Sequence, residues 1–256
     1  ILGTSDEVLV LNANTTGTSA NEKVIVAAIG TNDQIHSVSI TGRDGIILEG
    51  NITTSNKSSN NVSFTGPVSI NTATVAIDTN AAGNDGTVTF SSTIDSLTSG
   101  RNLDIVSATG NVTVTGAIGS TLALASLDIN EAGGDGDITL TSNIGSSTSS
   151  PGVTGVTRIG NAATADLNLN GTIYTTGGTT TYTSAGTDLG GSSPTFTTSA
   201  DTITFGTGNV TIADGTLTVK IYVVHISLKK NILGTSDEVL VLNANTTGTS
   251  ANEKVI

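Results

Sequence analysis

Histidine and cysteine, the side chains that most often carry nucleophilic or acid–base catalysis, are almost absent from this chain. Its 256 residues include no cysteine and two histidines, His36 and His225. A nucleophilic serine or cysteine needs a base, usually histidine, within hydrogen-bond reach. His36 lies in a polar turn, and His225 alternates with apolar residues in a strand-like run. Neither histidine is expected to act as a catalytic base.

The carboxylates and arginines also lack the pattern expected of an enzyme that cleaves polysaccharides. Glycosidases hold two carboxyl groups at a set separation across the scissile bond, and no local pair of carboxylates in this sequence matches that need. Arg43, Arg101 and Arg158 lie far apart. Aromatic residues, which often line sugar-binding grooves, make up only 3% of the chain. The sequence therefore predicts a protein that is not an enzyme.

Two turns rich in Gly and Asp could bind calcium. Asn84–Asp85 and the run GGDGD from Gly133 fall at matching places in two similar blocks, which begin at Ala76 and Ser126. Calcium takes carboxylate and carbonyl oxygens from flexible loops, but Gly and Asp are also ordinary turn formers. GGDGD is one residue short of the GGxGxD spacing of calcium-binding β-rolls. If calcium binds, Asp85, Asp135 and Asp137 are the candidate ligands, and no other cofactor is indicated.

Charge and hydropathy exclude two further classes of partner. The formal net charge is −12 and the basic residues are scattered, whereas nucleic-acid binding needs a clustered basic face. No run approaches the roughly 18 to 20 apolar residues that span a bilayer, so no membrane insertion is expected in this segment. An acidic chain without cysteine suits a secreted bacterial surface protein, and we expect an extracellular location.

A seven-residue motif of alternating apolar and polar residues predicts the strands that position the histidines, arginines and carboxylates discussed above. The copies are VSFTGPV from Val62, VTFSSTI from Val88, VTVTGAI from Val112, ITLTSNI from Ile138 and LNLNGTI from Leu167. A further copy, IILEGNI, begins at Ile46 and lies closer to Val62 than the other copies lie to one another. Alternation with a period of two predicts strands with one buried face.

A strand that recurs about every 25 residues predicts an all-β parallel solenoid, in which each coil buries its inward residues against its neighbours. The residues expected to point inward are Val62, Phe64, Val88, Phe90, Val112, Val114, Ile138, Leu140, Leu167 and Leu169. A second strand per coil is predicted at Val75, Leu103 and Leu127. Gly66, Gly116 and Gly171 are predicted at corners, where a side chain would crowd the next coil.

The alternative fold is a string of immunoglobulin-like β-sandwiches. Such domains would repeat at roughly 100 residues and usually contain a buried Trp or a Tyr corner. This sequence repeats at a much shorter interval and has no tryptophan, which favours the solenoid.

The outward residues of the motif would form two rows along a solenoid. They are Ser63, Thr65, Thr89, Ser91, Thr113, Thr115, Thr139, Thr141, Asn168 and Asn170. Stacked coils would space them about 4.8 Å apart, as on the ice-binding face of antifreeze solenoids. Thr is also the polar residue that best suits a strand. Ice binding is therefore kept as an alternative function.

The run NVTVTGAIGSTLALASLDI, with TNAAGNDGTVTFSSTIDS before it, resembles the repeats of filamentous-haemagglutinin-like proteins and giant bacterial surface adhesins. The likeness covers roughly residues 37–218 and rests on pattern and composition. It implies a right-handed parallel β-helix, secretion to the cell surface and a role in attachment or matrix building.

The two ends of the chain carry the same sequence. Residues 1–25 and 232–256 are identical, so that Ile1 recurs as Ile232, which predicts a tandem array of which this chain covers one unit and the start of the next. We expect a continuous solenoid over 1–219, a connector over 220–231 and the next unit from 232. The alternative for this segment is an ordinary terminal strand whose flanking lysines deter aggregation. Deletion of residues 220–230 tests the connector, because filaments of unchanged length and thickness would exclude it. The connector residues expected to join one unit to the next are Lys220, Tyr222, Val224, Ile226 and Leu228.

These patterns together predict a structural repeat of an extracellular bacterial filament or adhesin stalk that attaches cells or links them to each other or to a matrix. Its partners would be further copies of the repeat, end to end, and cell-surface glycans or proteins. The alternative is a calcium-stabilised surface-layer or matrix protein.

Overall fold

The structure, a computed structural model, describes residues 7–13, 22–30, 34–81, 84–199, 202–221, 225–228, 232–234, 239–244 and 254–255. Within these ranges every regular element is a β-strand, and no helix is present. No helix in the described ranges has the length and hydropathy needed to cross a membrane.

The described strands follow in chain order. They are β1 (Val8–Ala13), β2 (Lys23–Val26), β3 (Ser37–Gly42), β4 (Gly45–Leu48), β5 (Ile52–Thr53), β6 (Val62–Thr65), β7 (Val68–Ile70), β8 (Thr74–Asp78), β9 (Asn80–Ala81), β10 (Asn84–Asp85), β11 (Val88–Phe90), β12 (Ile94–Ser96), β13 (Asn102–Val106) and β14 (Val112–Val114). The later strands are β15 (Ser126–Ile129), β16 (Ile138–Leu140), β17 (Thr157–Ile159), β18 (Asp166–Leu169), β19 (Ile173–Thr176), β20 (Thr180–Leu189), β21 (Thr195–Thr198), β22 (Ile203–Ile212), β23 (Thr216–Ile221), β24 (His225–Leu228), β25 (Ile232–Leu233), β26 (Val239–Ala244) and β27 (Lys254–Val255).

Strands β9 and β10 pair antiparallel with each other. The other strands form three parallel ladders, which we call the first, second and third faces. The first face is β1–β3–β6–β11–β14–β16–β18–β20–β22–β25. The second face is β2–β4–β7–β12, then single bridges at Ile118 and Ile144, then β19–β21–β23–β26. The third face starts at Ile29 and continues β5–β8–β13–β15–β17–β20–β22–β24–β27. The chain visits the three faces in turn, which is a β-solenoid and confirms the predicted fold class.

The alternation of the motif places one set of side chains inside the coils. All ten residues predicted to point inward are at most 1% exposed, and they belong to one hydrophobic cluster that includes all three faces. Because each coil has an apolar interior only one side chain deep, its burial depends on the coils above and below. The parallel register across coils excludes immunoglobulin-like sandwiches for the described residues.

The sequence prediction missed one face and misplaced one strand. Each motif turns a corner, so its seventh residue lies on the second face, as at Val68 and Ile94, which pair with each other. The predicted second strands, at Val75, Leu103 and Leu127, form the third face. The IILEGNI copy does not belong to the first face, because Ile46 pairs with Val68.

The first-face strand of that coil is β3, whose Val38 pairs with Val62. This pairing replaces the anomalously short interval between Ile46 and Val62 with a coil of ordinary length.

The predicted corner glycines lie where coils approach closely. Gly66 has φ +124°, and a Cβ there would overlap the carbonyl oxygen of Gly42 in the coil below. A Cβ at Gly116 would overlap the backbone of Ser92 and Thr93, and one at Gly171 would overlap the carbonyl group of Ser142. Such contacts leave no room for a side chain, so these predictions are confirmed.

Candidate functional site

The outward residues of the first face form the most regular surface of the molecule. Strand register stacks Ser39, Ser63, Thr89, Thr113, Thr139, Asn168, Asp188 and Thr211 in one row. A second set of exposed side chains stands two positions further along the chain in five of these coils. They are Thr65, Ser91, Thr115, Thr141 and Asn170. We call this surface the hydroxyl rows. The predicted alignment is present, with neighbours about 4.8 Å apart.

Several coils also hydrogen-bond to the next through side chains beside the strands. The Asn61 side-chain oxygen accepts a hydrogen bond from the Thr87 backbone N–H at 2.8 Å. The Asn111 oxygen accepts one from the Asp137 N–H at 2.9 Å, and the Asn143 oxygen accepts one from the Thr172 N–H at 2.8 Å. These contacts bind adjacent coils together along the axis.

The three predicted calcium ligands do not converge. Gly86 lies against Gly110 and Gly110 against Gly136, so Asp85 and Asp135, which precede Gly86 and Gly136, are two coils apart. That is about 10 Å along the axis, too far for one ion with ligand distances near 2.5 Å.

Asp85 and Asp137 instead use carboxylate oxygens to join coils. Asp85 accepts hydrogen bonds from the Thr109 hydroxyl at 2.8 Å and its N–H at 3.2 Å. Asp137 accepts one from the Asp166 N–H at 3.2 Å. No group of three or more His, Asp or Glu side chains suited to a metal is found among the described residues.

A charged row lies on the outside of the third face. Asp104 stacks on Asp128 and Asp128 on Arg158, and the Arg158 guanidinium lies 3.4 Å from the Asp128 carboxylate. Burial and then the charges of Asp128, Asp78 and Glu131 raise the pKa of Asp104. Burial also raises the pKa of Asp128, and the charge of Arg158 partly offsets that rise.

The histidine and arginine side chains, none of which was predicted to be catalytic, make separate local contacts. The His36 Nε2 lies 2.8 Å from the Ser58 carbonyl oxygen, and the His225 side chain lies outside the description. Arg43 is 3.6 Å from Glu22, and Arg101 donates to the Thr98 hydroxyl at 2.7 and 3.0 Å. The three arginines therefore belong to different coils, as the sequence indicated.

Among the surface depressions of the described region are two of similar volume. One, of about 250 Å³, is lined by Thr148, Ser149, Pro151, Thr175, Thr176, Thr197 and Ser199. The other, of about 240 Å³, is lined by Glu131, Arg158, Gly160, Asn161, Thr181 and Thr183.

Hydrogen-bonding asparagines at the corner between the third and first faces were missed by the sequence reasoning. Asn130 is fully buried and accepts hydrogen bonds from the N–H groups of Ser107 at 2.7 Å and Ala108 at 3.2 Å. Asn161 donates to the Asn130 carbonyl oxygen at 2.6 Å. Asn130 and Asn161 precede the next first-face strand by different numbers of residues (Ile138 and Asp166 begin those strands), so no fixed spacing marks them in the sequence.

The predicted connector is partly described. Lys220 lies in β23, which pairs with β21 and β26. Ile226 and Leu228 lie in β24, opposite Ile203 and Phe205 of the third face. Tyr222 and Val224 lie outside the described residues. The division into a unit, a connector and a following unit stays a prediction.

Comparisons with protein families, with curated proteins and with solved structures find no match to this chain.

Proposed function

We propose that this chain is a non-enzymatic structural segment of an extracellular bacterial filament or adhesin stalk at the cell surface. The observation that carries the proposal is the position of the second copy of the repeated terminal sequence. Its strands β25, β26 and β27 continue the first, second and third faces, respectively. A new unit can therefore begin as one more coil on the preceding unit.

Continuity of the coils suits a long element. Open strand edges at the ends of a solenoid invite aggregation or need capping, and a following unit covers one such edge. In the first coil of this chain the inward residues Leu9, Leu11 and Val24 are only partly buried against the core. In an array these residues would belong to a coil with a neighbour on each side.

Attachment would come from weak contacts repeated along the stalk. From Ser39 to Thr211, the hydroxyl rows offer hydrogen-bond donors and acceptors on successive coils, suited to cell-surface glycans or to polar protein surfaces. Many identical weak sites on one filament raise the overall affinity far above that of one site. The net charge of −12 favours solubility of the filament.

Electron microscopy of the native assembly tests the proposal through its axial rise. About nine coils per unit, at roughly 4.8 Å per coil, predict a rise of about 45 Å per unit, with density unbroken between units. Separate globular beads with a rise of roughly twice that value would contradict a continuous stalk.

Two other functions make distinct predictions. A calcium-stabilised surface layer would form lateral sheets that a chelator disperses, whereas the stalk would stay a single filament in chelator. The aligned hydroxyl rows favour ice binding as the other candidate, and that function requires thermal hysteresis and shaping of ice crystals. Absence of both would exclude it.

A further inference from the structure

The two copies of the repeated terminal sequence occupy different faces of the solenoid. In the first copy, the segment VLVLNA forms β1 and pairs with β3 on the first face. In the second copy, the same six residues form β26 and pair with β23 on the second face.

The next segment moves in the same direction. Lys23 and Val24 lie on the second face, opposite β4, whereas their copies Lys254 and Val255 lie on the third face, opposite β24. Two independent segments of the repeat are thus displaced by one face, in the order in which the chain visits the faces.

The displacement follows from the number of coils in one unit. Nine successive first-face pairings lead from β1 to β25. The copy of β1 is then reached on the following face, at β26. One period of the sequence, from Val8 to its copy Val239, therefore corresponds to nine coils and one third of another.

On both faces the repeat pairs with a strand whose inward apolar residues are buried. Leu9 and Leu11 pair with Val38 and Ile40, which are at most 2% exposed. Their copies Leu240 and Leu242 pair with Leu217 and Val219, which are fully buried. Alternation has the same period on every face, so the repeat fits on either face without a change of sequence.

We infer that successive units of the array are rotated about the solenoid axis by one face, or one third of a turn. This inference rests on the proposed stalk. The hydroxyl rows then move from the first face to the second in the next unit and to the third in the unit after that. They return to the original face after three units.

The rotation determines which partners the stalk can engage. No face carries the hydroxyl rows for longer than one unit, about 45 Å at roughly 4.8 Å per coil. A long flat partner, such as an ice plane or a neighbouring filament in a sheet, would meet the rows on only one unit in three. Partners distributed around the stalk, such as glycan chains or separate receptor molecules, would find equivalent rows in three directions.

Disulfide cross-linking of the chain tests the rotation directly, because the sequence contains no cysteine. The double variant Thr218→Cys/Val241→Cys joins positions that are opposite each other on the second face. Val10, of which Val241 is the copy, lies in the first-face row that contains Thr211. Without rotation, Val241 would therefore lie opposite Thr211, and the matched double variant Thr211→Cys/Val241→Cys joins these two positions. Thr89→Cys/Thr113→Cys, in register on the first face, is the positive control.

Adjacent parallel strands place opposite Cα atoms about 5 Å apart, within the range that a disulfide spans. We expect the Thr218/Val241 pair to oxidise to the same extent as the control and several-fold more than the Thr211/Val241 pair. Preferential cross-linking of Thr211/Val241 would overturn the rotation and leave a continuous stalk. If neither pair cross-links while the control does, the second copy does not stack on the solenoid, which would overturn both the rotation and the continuous stalk.

Discussion

The coils built from residues 94–169 and those built from residues 173–212 share three faces but fill the interior differently. The former, which we call the aliphatic coils, contain no aromatic residue. The latter, the aromatic coils, bury Tyr174 and Phe196 on the second face and Tyr182 and Phe205 on the third. The ring centroids of Tyr174 and Phe196 are stacked at 4.6 Å, and those of Tyr182 and Phe205 at 5.2 Å. Phe196 also meets Phe205 edge-on at 5.0 Å.

The backbone differs in the same places. The coil that runs from Ile138 to its first-face partner Leu167 is long, and the additional residues form corners and loops. The coil that runs from Leu167 to its partner Thr187 is much shorter. The ten-residue strands β20 and β22 pass from the third face to the first without a break. One coil template therefore accepts small side chains with long corner loops, or large side chains with a corner formed within a continuous strand.

The largest expected loss of stability comes from truncating a buried side chain, and it should differ between the aromatic and the aliphatic coils. Phe196→Ala removes a fully buried ring in contact with three other rings and should lower the free energy of unfolding by about 3–5 kcal/mol. Ile118→Ala, at a similarly buried second-face position, is the matched control and should cost less, about 2–4 kcal/mol. Urea unfolding measures both, and a larger loss at Ile118 would contradict a distinct role of the aromatic cluster.

The next largest effect is a difference in stability between Gly→Ala substitutions at two corners of the solenoid. Gly116→Ala places a Cβ into the backbone of the coil below, so the coils must separate locally, and we expect a loss of about 3 kcal/mol. At Gly206, in β22 before its close corner at Gly208, an added Cβ would lie 3.1 Å from the Thr183 hydroxyl oxygen, a side-chain atom that can move. Gly206→Ala should therefore change the free energy of unfolding by less than about 1 kcal/mol. Equal losses in the two variants would remove the distinction between the corners.

A smaller effect distinguishes the two buried tyrosines. The Tyr174 hydroxyl oxygen accepts a hydrogen bond from the Gly171 N–H at 2.7 Å, so Tyr174→Phe should cost about 1–2 kcal/mol. The Tyr182 hydroxyl is buried without a hydrogen-bond partner among the described residues. Tyr182→Phe removes this unsatisfied group and should be neutral or stabilising. Thermal unfolding of the two variants compares them, and a loss at Tyr182 would show that its hydroxyl has a partner.

The smallest expected effect is a dependence of stability on pH, and it is confined to the aliphatic coils. Burial and neighbouring carboxylates raise the pKa of Asp104 above its ordinary value of 3.8, so the folded state binds the proton more tightly than the unfolded state. The resulting stabilisation is fully present below the unfolded pKa and is lost as pH rises through the folded pKa. For this group, acidification from neutral pH should therefore stabilise the fold.

Asp104→Asn should raise the melting temperature slightly at pH 7 and reduce its dependence on pH. Thr181→Asn, in the same outward row of the aromatic coils, changes no charge and serves as the control. An unchanged pH profile in Asp104→Asn would show that Asp104 does not contribute.

The buried ladder could be predicted from sequence because the alternation is repeated with little interruption. Val88, Val112 and Ile138 stand at the start of clear motifs, and they pair with one another as expected. The second face was harder to predict, because Ile118 and Ile144 are joined by single bridges and lack a run of alternation. The Asp85, Asp135 and Asp137 side chains share turn chemistry but not a location, since the turns that carry Asp85 and Asp135 are two coils apart.

Alternation and recurrence are local properties of the chain, so the sequence was sufficient to predict a β-solenoid with short, regular coils and to predict which side chains point inward. It was not sufficient to predict the face on which each strand lies. The six residues Val8–Ala13 and their copy Val239–Ala244 show this, since the first set lies on the first face and the second set on the second. Alternation with a period of two distinguishes inside from outside equally on every face. The face is therefore chosen in the tertiary structure, by the strand of the neighbouring coil with which each segment pairs.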